Sequence, residues 1–261
     1  MKIAYFDLLS PYGFQVDGVG RIHSPILRDI AQKGYKEYQY ALTILLMSPK
    51  EYIEGISKAT GMENFYEKMS QAERDSLNIF DLYIRSKSNI EDIEKALSFF
   101  ISGKISFYEK RNVFLVNPMF SEESISADGV ISSKNWGDVC EVCLKSAYIE
   151  PPNRPSPTKK YKNEFTRKKF EEFYRKKAAY EEKKRSTQKA NPDYELANII
   201  SSLATFHNSL NMANIWDLTV YQVHDTFARQ RQKEYIDVSD HNYAVWGGKD
   251  HKMDMWFKHI S

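Results

Sequence analysis

Apolar residues recur every three or four positions over most of this chain, and they give way to short alternating runs in two places. The first alternation is Phe14, Val16, Val19 and Ile22 around Asp17-Gly18. It predicts a β-hairpin with a two-residue type I′ turn, because Asp-Gly tolerates the positive φ that both turn positions need. Ser24 and Pro25 then predict a helix start, with Ser24 as cap and Pro25 in the first position, where no amide bond is lost. Ser48 to Glu51 and Ser70 to Glu73 both have the spacing of a capping box, in which a hydroxyl and a carboxylate each satisfy an amide of the opening turn. The helix from Ser70 is expected to carry Leu77, Phe80 and Ile84 on one face. Asn89 is expected to cap a helix bearing Ile93, Ala96, Leu97 and Phe100 as a buried stripe.

The second alternation, Lys104 to Val116, predicts two short strands, and Asp128-Gly129 predicts a second tight turn. A helix from about Asn135 turns Val139, Val142 and Cys143 inward. Residues 1–149 therefore predict an α+β domain with short β-hairpins and several helices. Four prolines within residues 151–158 exclude helix and central strand, so 150–160 is expected to be a linker. Residues 161–188 contain neither Gly nor Pro and are rich in helix formers, which predicts a long charged helix within an all-α C-terminal region, 161–261. Asn191-Pro192 predicts a further start, followed by Leu196, Ile199, Ile200, Leu203, Phe206 and Leu210 at helical spacing. Thr219 and Gln222 have capping-box spacing ahead of a last helix. Trp246 and Trp256 flank Gly247-Gly248 in a tail expected to have little regular structure.

Charge changes this picture in one place. The chain carries a net charge of +2, yet residues 159–185 hold 12 Lys or Arg against 5 Glu, which is +7 locally and leaves −5 for the rest. Lys168, Lys169, Arg175, Lys176 and Lys177 could track phosphates. The interspersed Glu164, Glu171, Glu172, Glu181 and Glu182 instead favour a solvated helix braced by i,i+4 pairs. The longest apolar run, Ala41 to Met47, is far short of a membrane span. The N-terminus does not have the layout of a signal peptide. The expected location is the host cell cytoplasm, with no membrane contact.

Candidate chemistry is sparse. Gly18 and Gly20 ahead of a helix look like a phosphate loop, but a dinucleotide fingerprint would need a third glycine where His23 stands. Cys140 and Cys143 have C-x-x-C spacing without a second ligand pair, which reads as core rather than zinc or redox chemistry. His224-Asp225, with His207 upstream, invites a metal-dependent hydrolase reading, although the spacings are cramped. No nucleophile is paired with a base. The expectation is a protein without catalytic residues, cofactor or metal.

The stretches Phe14 to Leu46 and Leu196 to Gln232, with Ala244 to Asp250 and the closing tryptophan segment, resemble proteins of the tail-assembly clusters of long-tailed phages and prophages of Gram-positive bacteria. The layout looks most like a tail assembly chaperone, a family with no catalytic residues to carry over. Some such families extend a short form by frameshifting, and a folded unit followed by a proline-rich linker would suit an extended form. The resemblance implies tape-measure and tail-tube proteins as partners, and it is compatible with a homo-oligomer. Trp216, Val220, Tyr221, Val223, Phe227, Trp246 and Trp256 are the candidate partner-binding side chains. A nucleic-acid-associated protein using 159–185, and the hydrolase reading, are the alternatives.

Overall fold

The computed structural model describes residues 3–61, 63–121, 125–151 and 194–247, together with Met255 and Phe257. It divides into two compact units, Met1–Pro151 with Met212–Ser261, and Pro152–Asn211. The chain thus divides at 151 and again at 211, so the C-terminal residues expected to form one region beyond the linker are shared between the two units. Residues 152–160 of the expected linker and the charged helix expected over 161–188 lie outside the described residues.

The fold class is α+β, with a C-terminal helical region. In the first unit, α1 (Tyr5–Leu9) leads into a hairpin of β1 (Phe14–Val16) and β2 (Gly20–Ile22). Their register pairs Phe14 with Ile22 and Val16 with Gly20, which leaves a three-residue loop in place of the expected two-residue turn. The Val19 amide closes onto the Val16 carbonyl, and Gly18 has φ +70°, the positive φ that a type II turn requires at its third position. Both glycines that looked like a phosphate loop therefore belong to a hairpin.

Helices α2 (Leu27–Lys33), α3 (Tyr35–Leu46), α4 (Pro49–Thr60), α5 (Gln71–Ser76), α6 (Ile79–Tyr83) and α7 (Lys87–Leu97) follow. Both expected capping boxes form, at Ser48/Glu51 and Ser70/Glu73. The helix expected to run on through Leu77 instead breaks there. Asn78 accepts from the Phe80 amide and starts α6 afresh, which sends Phe80 fully into the core. Asn89 is not a cap. It lies inside α7, which begins after Ser86, and donates through Nδ2 to the Tyr52 hydroxyl at 2.7 Å. The stripe of Ile93, Ala96, Leu97 and Phe100 is buried as the spacing requires.

A three-stranded antiparallel sheet runs in the order β3 (Ile105–Tyr108), β4 (Val113–Val116), β7 (Gly129–Ile131), with a small ladder of β5 (Met119–Phe120) and β6 (Ile125–Ser126) at its side. Asp128-Gly129 is not a tight turn, since Gly129 pairs with Val116 inside β7. Glycine is needed there for proximity. A Cβ would stand 2.0 Å from the Val19 carbonyl oxygen, and next to it the Val130 amide donates to Gly18 at 2.8 Å. The tip of the first hairpin is thereby fixed on β7. Helix α8 (Trp136–Ser146) buries Trp136 against Phe80 and Tyr83, with ring centroids 5.6 and 6.4 Å away.

After a single turn of 3₁₀ helix at Ile215–Asp217, helix α10 (Val220–Trp246) completes the unit. Ser24 and Pro25 do not start α2, whose N-cap is Ile26. They meet α10 instead. The Val220 amide donates to the Pro25 carbonyl at 2.8 Å, and the Tyr221 amide donates to Ser24 Oγ at 3.1 Å. In the second unit, α9 (Leu196–Phe206) buries Leu196, Ile199, Ile200 and Leu203, leaves Phe206 exposed, and ends before Leu210. The cap expected at Asn191 lies outside the described residues.

Two substitutions test this reading. Gly129→Ala should cost about 1–3 kcal/mol, because its methyl meets backbone that cannot turn aside. Ser24→Ala should cost about 1 kcal/mol by stranding the buried Tyr221 amide. Urea denaturation should show both as a lowered midpoint at unchanged slope.

Candidate functional site

Helix α10 opens with a complete set of acceptors. Besides Pro25 and Ser24, the Gln222 amide donates to Thr219 Oγ1, and the Val223 amide donates to the Thr219 carbonyl. The Gln222 side chain returns to the Thr219 amide through Oε1 and donates through Nε2 to the Leu9 carbonyl at 2.9 Å. The helix start therefore offers no amide to an anion, and it binds both the 24–27 segment and the end of α1.

One turn further on, α1 and the end of α8 meet the same helix. The Tyr5 hydroxyl donates to Asp225 Oδ1 at 2.6 Å, and Arg229 donates to the Tyr5 oxygen at 3.1 Å. Arg229 Nε stands 3.7 Å from Asp225 Oδ2, so the three groups form one largely sheltered network. The Tyr148 ring lies flat on the His224 imidazole, with centroids 5.0 Å apart and planes 7° apart, and it meets Tyr221 edge-on at 5.2 Å. Burial pushes the Tyr221 phenol up to about 12, with Asp225 adding to the effect. Burial lowers the His224 pKa from the ordinary 6.5. Both rings are held neutral at neutral pH.

Tyr148 has φ +60°. It occupies the left-handed position just beyond α8, where its amide donates to Lys145 and the Ile149 amide donates to Leu144. That is a Schellman ending, in which glycine is the usual residue because a side chain there costs about 1–2 kcal/mol. The stacking on His224 and Tyr221 is what the tyrosine supplies in return. Tyr5, Tyr148 and Arg229 were absent from the sequence-based candidates. The one signal for Tyr148 was a helix ending without a glycine, and nothing local marked Tyr5 or Arg229.

This geometry gives the hydrolase reading no support. His224 and Asp225 are committed to Tyr148 and to Tyr5 and Arg229. His207 ends α9 in the other unit, where the Ser209 amide donates to its Nδ1. Among the described residues, no three His, Cys, Asp or Glu side chains converge as a metal site. Cys140 and Cys143 are both buried thiols, as core packing requires. Burial pushes the Cys143 thiol well up, with Cys140 adding to it, so the thiolate needed for redox or metal chemistry is suppressed. The basic residues Lys168, Lys169, Arg175, Lys176 and Lys177 lie outside the described residues. Also among the described residues, no helix is long and apolar enough to cross a membrane.

The partner-binding candidates separate into two groups. Val220, Tyr221 and Val223 are buried within the first unit, and Trp216 and Phe227 are half-buried. The guanidinium of Arg231 sits 5.9 Å from the Phe227 ring. Trp246 is 83% exposed, and it ends a continuous helix rather than lying in an irregular tail. Trp256 lies outside the described residues. The exposed group has further members that sequence reasoning missed: Tyr235 at 76%, Val238 at 60% and Val245 at 56%. At 100° per residue, Tyr235, Val238, Val245 and Trp246 fall within an arc of about 100°. In the first half of the helix, Val220, His224 and Phe227 occupy that same arc. One helical face is thus covered at its start and open at its end.

A family model described as the YomV second domain matches residues 183–261, a stretch that takes in α9 and α10. That family is phage-associated, from a Bacillus prophage, and the match is consistent with a phage protein. No curated protein and no solved structure matches the chain.

His224 generates a pH prediction. Its folded-state pKa is depressed, so the unfolded chain takes up its proton first as pH falls. Stability from this group is complete above about 6.5 and is lost as pH drops below that value toward the lower folded pKa. His224→Phe should therefore lose less stability between pH 7.5 and pH 5.5 than the unaltered chain, measured as urea midpoints at the two pH values.

Proposed function

We propose that this chain is a non-enzymatic phage assembly factor, acting in the host cytoplasm, that holds a helical segment of a phage structural protein against the open face of α10. The observation that carries the reading is the apolar stripe of Tyr235, Val238, Val245 and Trp246, left uncovered on a helix whose other half uses the same face for packing. A stripe of large apolar side chains at helical spacing is what a second amphipathic helix recognises. Exposure of that much aliphatic and aromatic surface in line is unusual for a chain with no partner. The match of residues 183–261 to a phage-associated family supports the setting. Within that setting, the resemblance to tail assembly chaperones makes the tape-measure protein the first partner to try, with the tail-tube protein second.

Co-expression with the tape-measure product of the same gene cluster tests the reading. The unaltered chain should keep that protein soluble and co-purify with it. The pair Val238→Asp and Trp246→Ala should abolish co-purification while leaving the unfolding free energy within about 0.5 kcal/mol, because both positions are exposed. Failure of the unaltered chain to bind, or undiminished binding by the double variant, would overturn it.

A further inference from the structure

A second place in the first unit forms a small pocket of different chemistry. Between α3, α4, α6 and α7 lies a pocket of about 70 Å3, lined by Tyr40, Tyr52, Tyr83, Asn89 and Asp92 together with three aliphatic or thioether side chains. Every phenol in it has a fixed role. Tyr83 donates to the Ile44 carbonyl at 3.1 Å, Tyr40 donates to Asp92 Oδ2 at 2.9 Å, and Tyr52 accepts from Asn89 at 2.7 Å. Tyr52 and Tyr83 stand edge to face, 5.2 Å between centroids. All three rings are thus held by their hydroxyls, and Tyr52 and Tyr83 also by each other.

The charge is unbalanced. Among the described residues, Asp92 forms no ion pair and no Lys, Arg or His lines the pocket. Burial and the bond to Asp92 raise the Tyr40 phenol, which therefore stays protonated as a donor to that carboxylate. The site offers one carboxylate with lone pairs to spare, three electron-rich rings and a few apolar contacts. An anion would meet Asp92 directly. A neutral apolar guest would take water from that carboxylate and return nothing. A metal ion would find one carboxylate where several oxygen ligands are needed. A cation carried on carbon suits all three features, since an electron-rich ring would attract it across a face, the carboxylate would neutralise it and its methyl or methylene groups would fill the apolar wall.

We propose that the Tyr40–Tyr52–Tyr83–Asp92 pocket binds an organic ammonium group, as a quaternary methylammonium or as the end of an alkylammonium chain. The volume admits a group of only a few heavy atoms, so the headgroup enters and the remainder of its carrier stays outside.

The test titrates the full chain with tetramethylammonium and with n-butylammonium, and in parallel with their neutral counterparts neopentyl alcohol and n-butanol. Amide resonances of residues 40–47 and 89–93 provide the readout. Saturable shifts are expected with at least one cation, and that cation should bind about tenfold or more tightly than its neutral counterpart. Which of the two cations binds better distinguishes a quaternary ligand from a lysine-like one. Asp92→Asn should bring the cation down to the level of the alcohol. Equal binding of cation and alcohol, absence of saturable shifts, or unchanged affinity in D92N would overturn the proposal. The comparison on the unaltered chain decides the matter even if D92N fails to fold. None of these outcomes depends on the open face of α10.

Discussion

The buried start of α10 is the constraint on which the first unit depends. The opening amides of any helix lack partners within it, and Thr219 at this one is fully enclosed, so water cannot supply them. Residues almost two hundred positions earlier supply them. Pro25 and Ser24 accept from Val220 and Tyr221, and the Leu27 amide, which opens α2, donates back to Leu218. Each helix therefore completes the other's first turn. Neither start can be buried alone without leaving polar groups unsatisfied. The chain must close a long loop before either gains, which places this pairing among the non-local contacts that slow folding.

Once α10 is held at its start, the cluster one turn on follows from it. Tyr5 meets Asp225 at one end of α1, and Gln222 ties the Leu9 carbonyl at the other. Tyr148 accepts a backbone conformation better suited to glycine because His224 and Tyr221 present a stacked and an edge-on partner. The histidine that invited a catalytic reading is thus kept neutral and covered by the same packing that secures α8 to α10.

Local chemistry was legible in the sequence, and non-local chemistry was not. The capping boxes at Ser48, Ser70 and Thr219 are satisfied within four residues, so spacing alone identifies them. The stripe on α7 obeys helical periodicity and is buried as expected. Ser24 was misread because its hydroxyl caps a helix that the local sequence cannot see. Gly129 was misread for the same reason, since its missing side chain makes room for the distant backbone of Val19. Asn89 looked like a cap, and its amide is used across α4 instead. Of the candidate partner residues, helical spacing put Val220 and Phe227 on the arc of α10 that is open further along, while Tyr235, Val238 and Val245 on that arc were missed. Spacing could not tell where along the helix that face stops being covered, because coverage depends on where the N-terminal elements end.

That stopping point is what gives the open half of α10 its meaning. The helix spans about 40 Å at 1.5 Å per residue; its hydrogen bonds to the N-terminal segments, from Thr219 to Arg229, fall within its first dozen residues, and Ile236 is buried further on. Most of the stability of a helix in a protein comes from packing one face rather than from propensity. The ion pair of Lys233 with Asp237 in the far half of α10 is exposed and contributes little. Its exposed end also carries Tyr235, Val238, Val245 and Trp246 on one arc, where a solvated extension would carry charge. A rigid base bearing an apolar, helix-shaped edge presents a surface that needs no rearrangement to receive another helix, so little of the binding energy is lost to ordering. The same arc that α10 turns toward its own N-terminal elements is the arc it offers outward, and a guest helix lying there would extend packing that the fold has already begun.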